Sequence, residues 1–321
     1  MSLNSETDNW NRLLGNQKSQ FLVDLNVKWL PIDKGFNMAT SRFFKLSGMI
    51  HPDDRLHQVE LHDDESNAPN EHFIAPKIVV VKLHKPVVID GKTYTAITVP
   101  QYSDTVRGGK AAHYDPAGDC NGNFMSYKFQ PNNNCYAYGT NIATNSFAQP
   151  GRKSGYLLTS EDQVTFEKFG EAVRSYAEKD GLIYVGTTKD ELLQYKSDNF
   201  KSGMEGHFTA LLISPRSEIL ADKDLEWPGD YHWVRCDNSS EGCDSWSQKD
   251  GNDQVTNFDF AGNLITDPAT ANWTVNQGPP SIIKKDKDGN EYIAGSKGAE
   301  FIVEYGFYCY MFVPDKGVDI I

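Results

Sequence analysis

The stretch Asn132-Asn133-Asn134-Cys135-Tyr136-Ala137-Tyr138-Gly139 decides how the fold of this chain is interpreted. A polar run such as the three asparagines can cap a helix, and the residues after the cysteine are compatible with a short helix. The partial positive charge at a helix start favours thiolate, the form of cysteine that attacks carbonyl carbon. The stretch therefore predicts a short helix that begins at a nucleophilic Cys135 and needs a nearby imidazole.

Two histidines follow Cys135 in the sequence, and both lie in strand-like surroundings. His207 opens the apolar run at 206–214, and His232 lies within Tyr231-His232-Trp233-Val234-Arg235. Pairing of these two strands as a hairpin would make the two imidazoles neighbours on one face. We expect His207 to be the general base and His232 to orient it, which makes a Cys-His-His triad.

A cysteine at a helix start, then a Gly-His pair that leads an apolar strand, then a polar residue on the next strand resembles the papain-like NlpC-type and CHAP cysteine peptidases and amidases. The resemblance covers roughly residues 126–235. It implies that Cys135 is the nucleophile, that His207 is the base and that His232 orients the base. It also implies a hydrolase without metal or organic cofactor that cleaves an amide bond in peptidoglycan or a peptide through an acyl-enzyme. Many NlpC-type members have Asp-Cys-Ser-Gly where this chain has Asn134-Cys135-Tyr136-Ala137.

Two alternatives remain open at the level of the sequence. In the first, His232 is the base, His207 is structural, and the orienting residue is one of Asp237, Asp250 and Asn252, in the Cys, His, Asn order of papain. Gln149 is a candidate oxyanion donor, although its position after Cys135 differs from the papain arrangement. In the second alternative the protein is a non-enzymatic β-rich binding or virion/structural protein, and Cys135 is inert.

The pattern along the rest of the chain predicts an α+β fold. Residues 1–125 carry strand signals, including 77–83, 86–89 and 94–99, and are expected to form a β-rich module with a targeting role. Helix signals follow residue 150, with capping boxes at Ser160/Gln163 and Thr188/Glu191. Further strands are expected at 208–214, 231–235 and 300–313. Residues 126–321 are the expected papain-like (NlpC-type) domain, a helix packed on an antiparallel sheet.

The composition excludes several classes of protein. The 321 residues carry a net charge of −13, which argues against nucleic acid as a partner. No apolar run approaches the roughly 18 residues of a membrane helix, so we expect a soluble protein without a membrane span. The N-terminus lacks a basic region followed by an apolar one, and secretion or export would occur without a visible signal peptide. The oligomeric state is left open.

Two further clusters allow a chemical and a plain interpretation. Cys236 and Cys243 flank a turn-rich segment and form either a hairpin disulfide or two free thiols. The histidines and acids of residues 51–72 resemble a metal cluster, but an acidic exposed loop has the same composition and is the favoured interpretation. Gly108-Gly109-Lys110 lacks the rest of a phosphate-binding loop and is interpreted as a turn.

Overall fold

The computed structural model describes residues 28–29, 57–58, 77–89, 92–109, 114–115, 119–126, 129–159, 161–200, 203–218, 226–251, 253–276, 278, 281–285, 287, 291–296, 300 and 302–321. The helices of these segments are α1 (Asp119–Met125), α2 (Cys135–Gly139), α3 (Phe166–Lys179) and α4 (Lys189–Asn199), with 3-10 turns at Gln130–Asn132 and Arg152–Ser154. The strands are β1 (Lys28–Trp29), β2 (His57–Gln58), β3 (Lys77–Ile89), β4 (Lys92–Gln101), β5 (Val106–Arg107), β6 (Ile142–Ala143), β7 (Ile183–Gly186), β8 (Gly206–Ser214), β9 (Ser217–Glu218), β10 (Glu226–Trp227), β11 (Asp230–Cys236), β12 (Trp246–Lys249), β13 (Val255–Thr256), β14 (Thr274–Asn276), β15 (Ser281–Lys285), β16 (Glu291–Ser296), β17 (Ile302–Glu304) and β18 (Gly306–Pro314).

A six-stranded antiparallel sheet organises the second half of the chain. Its strand order is β13-β12-β11-β8-β18-β7, so β8 and β11 pair with each other at the centre. Every residue of β11 is buried, and so is β8 after Gly206, as expected for strands covered on both faces. Helices and an antiparallel sheet in one core confirm the α+β class.

Helices α2 and α3 cover one face of this sheet. The Tyr136 ring lies 5.2 Å from the Trp233 ring, and Phe169 of α3 lies 6.4 Å from Tyr231. At Gly139 an added Cβ would lie 2.9 Å from Thr209 Oγ1 and 3.0 Å from Trp233 Cβ. A residue without a side chain is therefore needed where the end of α2 approaches the strands.

The opposite face of the sheet is covered by aromatic residues of the α4 region. Phe208 and Phe312 of the sheet have ring centroids 5.4 Å apart, and Phe200 stacks on Phe208 at 5.7 Å. The predicted capping box of α4 is confirmed, because the Thr188 side chain accepts from Glu191 N and the Glu191 carboxylate accepts from Thr188 N. Side-chain capping thus starts α4, and Tyr195 of that helix contacts Phe312.

The β3–β4 hairpin has a smaller apolar cluster of its own, which also includes Ile321. Contacts nevertheless cross residue 125. Strand β5 pairs with β6, Gln101 Nε2 donates to Thr144 O at 2.9 Å, and Phe124 of α1 packs against Tyr138. The domain boundary at residue 125 stays a prediction, and a fragment that began at 126 would lose these contacts.

Three predicted elements differ from those observed. Helix α3 begins at Phe166 with Thr165 as its cap, five residues after Ser160, which lies outside the described residues. The strand expected at 300–313 is two strands, since Tyr305 separates β17, which pairs with β14, from β18 of the main sheet. Helix α1 lies in the segment expected to be β-rich. Asp90 and Gly91, a residue pair that predicts a hairpin turn between β3 and β4, lie outside the described residues.

Candidate functional site

The start of α2 is held by side-chain hydrogen bonds on both sides of Cys135. Asn134 caps the helix, since its Oδ1 accepts from Ala137 N at 3.1 Å, and its Nδ2 donates to Ala148 O at 2.8 Å. The buried Lys249 ammonium donates to Asn133 O at 2.6 Å. The predicted helix start with an asparagine cap is therefore confirmed, and the backbone around Cys135 is fixed to two other parts of the fold.

The Cys135 thiol lies against the start of β11. It is fully buried, and Sγ donates to Tyr231 O at 3.8 Å. Tyr231 O belongs to the peptide group that joins Tyr231 to His232. Standard backbone dimensions therefore place Sγ within about 7 Å of the His232 Cα. The structure thus brings Cys135 and His232 into the same small region.

A glutamine orients the His232 imidazole. His232 Nε2 lies 2.6 Å from Gln248 Oε1, and Gln248 Nε2 donates to Phe258 O at 2.6 Å. Because the amide donates to Phe258, its oxygen faces the ring, so we assign the Nε2 proton to His232. The remaining ring nitrogen, Nδ1, then has the lone pair that can accept a proton.

Aromatic residues surround this imidazole. The ring centroids of Phe260 and Trp273 lie 5.7 Å from that of His232, and Tyr305 lies at 6.2 Å. The Tyr305 hydroxyl donates to Asp230 Oδ2 at 2.9 Å. Burial raises the pKa of Tyr305 well above its ordinary value, and the Asp230 charge adds to the rise. The neutral Tyr305 phenol therefore persists at neutral pH beside the Cys135 region.

His207 lies elsewhere, and the expectation that the two imidazoles are neighbours is wrong. His232 pairs with Leu212 on β8, so His207 lies five residues away, about 17 Å along the strand and on the opposite face. His207 Nε2 contacts Gly139 O at 2.8 Å, at the far end of α2 from Cys135. Burial lowers the pKa of His207 to about 4, and the Arg235 charge contributes, although the Gly139 contact opposes the shift. A group with this pKa is neutral and a weak base near pH 7.

Gln149 lies beside the start of α2, as its candidate role requires. Its Oε1 accepts from the Tyr231 hydroxyl at 2.7 Å, which leaves the Nε2 side of the amide as the donor. Nε2 lies 3.4 Å from Phe147 O. Gln149 follows Ala148, whose carbonyl accepts from the capping Asn134. Its amide therefore lies close in the fold to the residue before Cys135.

The side chain that contacts His232 Nε2 is not among the residues that the sequence pattern indicates. Of its three candidates, Asp237 accepts from Arg235 and Ser247 at the other end of β11, Asp250 does not occupy the acceptor position at Nε2, and Asn252 lies outside the described residues. The pairing of Val234 with Gln248 places Gln248 on the same face as His232. Because no two-residue turn fixes the register of β11 against β12, the alternation of the sequence alone does not identify Gln248.

No metal or membrane feature accompanies the site in the described part of the chain. No group of three or more His, Cys, Asp and Glu side chains there could hold a metal ion. Of the acidic stretch 51–72, the structure describes only the short strand His57–Gln58. The rest of that stretch lies outside the described residues, and so does Lys110. No described helix combines the length and apolar character needed to cross a membrane.

The fold and the site define an α+β protein with a buried cysteine at a helix start, whose thiol contacts the strand that carries a histidine–glutamine pair. No family model and no solved structure matches the chain. Insoluble matrix shell protein 1 of Ruditapes philippinarum is 35% identical to it over 144 residues, which are 44% of this chain and 72% of that protein. The chain belongs to the family of insoluble matrix shell protein 1.

Proposed function

We propose that the protein is a cysteine hydrolase with a papain-like site, in which Cys135 is the nucleophile, His232 the general base and Gln248 the residue that orients the base. One observation carries the proposal. The thiol lies 3.8 Å from the carbonyl that precedes His232, while the 2.6 Å contact of Gln248 fixes the tautomer that leaves Nδ1 as the proton acceptor. This is the order nucleophile, base and side-chain amide of papain, with glutamine in the place of asparagine.

The proposed reaction cleaves an amide bond in two steps. His232 Nδ1 takes the Cys135 proton, the thiolate attacks the carbonyl carbon, and the imidazolium then protonates the leaving amine. Water, deprotonated by the same imidazole, hydrolyses the resulting thioester and releases Cys135. Gln248 Oε1 accepts from Nε2 throughout and stabilises the imidazolium. The Gln149 amide is the candidate donor to the oxyanion.

His207 is assigned a structural role in this scheme. Its contact with Gly139 O joins the last residue of α2 to the start of β8, where Phe208 N donates to Ser239 Oγ at 2.9 Å. The substrate class implied is a peptide or the peptide part of peptidoglycan, since the site needs only an amide carbonyl. The proposed base and its orienting residue therefore lie on β11 and β12, as His232 and Gln248, and not on β8 and β11 as the sequence predicts.

The experiment that tests the site measures thiol reactivity, because it needs no knowledge of the substrate. Iodoacetamide labelling of the folded protein near pH 7 is followed by peptide mapping. Cys309 is the internal control, since it is also fully buried and burial raises its pKa. We expect Cys135 to react much faster than Cys309, and His232→Gln to abolish that advantage.

The matched control for that variant is His207→Gln, which replaces the other buried imidazole by the same amide. It should leave Cys135 labelling close to the wild-type rate. The proposal fails if Cys135 reacts no faster than Cys309, or if His207→Gln removes the reactivity and His232→Gln does not. Cys135→Ala should then abolish any amide hydrolysis that the wild-type protein shows on peptide or peptidoglycan substrates.

A second candidate function is favoured by the family. A relative that is an insoluble matrix shell protein is consistent with a structural protein of an extracellular matrix in which Cys135 only packs. The complete burial of Cys135 agrees with that role as well. Sedimentation of purified wild-type and Cys135→Ala protein with a reconstituted matrix separates the two functions. Equal incorporation of both proteins, together with slow Cys135 labelling, would support the structural role.

A further inference from the structure

Two cysteines lie together at the end of the β11–β12 hairpin. Cys236 is the last residue of β11 and pairs with Trp246 at the start of β12. The Cys236 thiol contacts Asn238 Oδ1 at 3.7 Å, the Cys243 thiol contacts Ser239 O at 3.5 Å, and Cys243 N donates to Asn238 O at 3.3 Å. The two side chains therefore contact neighbouring residues of one tight loop, close enough for each thiol to affect the pKa of the other.

The two thiols are in unequal electrostatic surroundings. Burial raises the pKa of Cys236 well above its ordinary value. The neighbouring Cys236 thiol lowers the pKa of Cys243, and the ammonium groups of Lys196 and Lys189 lower it further, against burial and the Asp244 carboxylate. Lys189 Nζ also donates to the carbonyl of Cys243. Cys243 is thus the thiol that ionises first, and Cys236 is its neutral neighbour.

The backbone and the exposure of the loop agree with a reactive position. Cys243 has a φ of 54°, a left-handed conformation that is uncommon for a residue with a side chain. Both cysteines are buried, whereas Ser240, Glu241 and Gly242, which connect them along the chain, are exposed. A small reagent can therefore reach Cys243 when this short exposed segment moves.

We propose that Cys236 and Cys243 are a redox-active dithiol that exchanges with small-molecule disulfides, with Cys243 as the attacking thiol and Cys236 as the resolving thiol. The Cys243 thiolate attacks one sulfur of the small disulfide, forms a mixed disulfide and expels a thiolate. Cys236 transfers its proton to that thiolate and attacks Cys243 Sγ, which displaces the second thiolate, and solvent protonates it. Two protein thiols are oxidised to one disulfide, and the small disulfide is reduced to two thiols.

The bond would close the loop between the two strands that carry His232 and Gln248. It would join the end of β11 to the segment before β12, so that the loop end of the hairpin is closed covalently. The proposal does not depend on hydrolase activity, because it concerns other thiols. An oxidising extracellular environment would favour the disulfide form, and a reducing one would favour the dithiol.

Incubation of the folded protein with oxidised glutathione, acid quenching and non-reducing peptide mapping test the proposal. The expected product is a cross-linked peptide pair from Cys236 and Cys243 that has lost two hydrogen atoms. Cys236→Ser should accumulate one glutathione on Cys243, while Cys243→Ser should be modified at Cys236 far more slowly. Absence of the cross-link in the wild-type protein, or equal modification of the two variants, overturns the proposal.

A further variant keeps the test decisive if either serine variant unfolds. Lys196→Gln removes one of the two cations beside Cys243 and should slow cross-linking of an otherwise wild-type chain by at least about fivefold near pH 7. Lys168→Gln, at an exposed position of α3, is the matched control for the lost charge. Equal rates for the two lysine variants would contradict the assigned electrostatic role, as would a mixed disulfide that forms first on Cys236.

Discussion

Asp180, at the end of α3, provides the sharpest test of the energetics around the candidate site. Its Oδ2 accepts from the Tyr136 hydroxyl at 2.8 Å and from Gly151 N at 2.7 Å, while Oδ1 is buried without a hydrogen-bond partner in the described structure. Burial raises the pKa of Asp180 to about 7, and the Asp319 charge adds to the rise. The two hydrogen bonds and Arg152 oppose it. One buried carboxyl therefore connects α2 to the segment that contains Gln149.

The direction of the pH effect follows from the raised pKa. Between pH 3.8 and about 7 the folded protein holds a proton on Asp180 that the unfolded chain has released. The stabilisation is complete below the unfolded value and is lost as the pH rises through the folded value. The rise in pKa from 3.8 to about 7 corresponds to a loss on the order of 4 kcal/mol in the free energy of unfolding over the whole interval, of which about 3 kcal/mol falls between pH 5 and pH 8.

Asp180→Asn removes the titration and keeps an oxygen that can accept from Tyr136 and Gly151. Its amide nitrogen replaces the unpartnered Oδ1, which costs about 1–2 kcal/mol at every pH. Urea unfolding at pH 5 and pH 8 should show that the wild-type protein loses stability relative to the variant across this interval. Asp198→Asn, at an exposed position of α4, is the control for the loss of one negative charge. A difference between wild type and Asp180→Asn that is equal at both pH values would refute the reasoning.

Three other variants probe the contacts around Cys135 and His232. Gln248→Asn should keep part of the Cys135 reactivity toward iodoacetamide and Gln248→Leu should lose it, because only an amide can accept from His232 Nε2. Equal labelling rates for the two variants would show that this contact does not orient the base. Lys249→Met should lower the free energy of unfolding by about 3–5 kcal/mol in urea titrations, because it leaves the carbonyls of Gln130, Asn133 and Gly251 without their donor. A loss no larger than that of the exposed Lys168→Met would contradict this. Asn134→Ala should cost about 1–2 kcal/mol in the same assay through the lost cap and the lost bond to Ala148, and an unchanged unfolding midpoint would refute it.

Local patterns were sufficient for the elements that bring the site together. The asparagine before Cys135 predicts the helix start, since capping depends on residues within one turn. The apolar run after His207 and the aromatic run around His232 predict two strands, and these strands pair. Thr188 and Glu191 likewise predict the start of α4. Each of these features depends on residues close together in sequence.

The register between β8 and β11 could not be predicted in the same way. The connection between them runs from Pro215 to Gly229, and a connection of that length does not set the register as a two-residue turn does. The observed register places Leu212, not His207, opposite His232. The helix start at Thr165 was missed for a related reason. Gln163 is buried and lies before the helix. The stability of α3 comes from packing of its apolar face, Phe169, Val173 and Ala177, on the sheet, and this packing is not visible in a four-residue capping pattern.

The two candidate functions make different demands on the residues around Cys135. Packing alone requires a small apolar side chain at this position, and alanine would meet that need. Packing does not require an amide whose orientation is set by Phe258 to hold one tautomer of His232, two residues from the strand's start. Buried polar groups such as these lower the stability of the fold unless each is fully hydrogen-bonded. Such a cost is expected at a catalytic site, where the polar groups take part in the reaction. The reactivity of Cys135 in the His232→Gln and His207→Gln variants therefore discriminates between the two functions more directly than any measurement of stability.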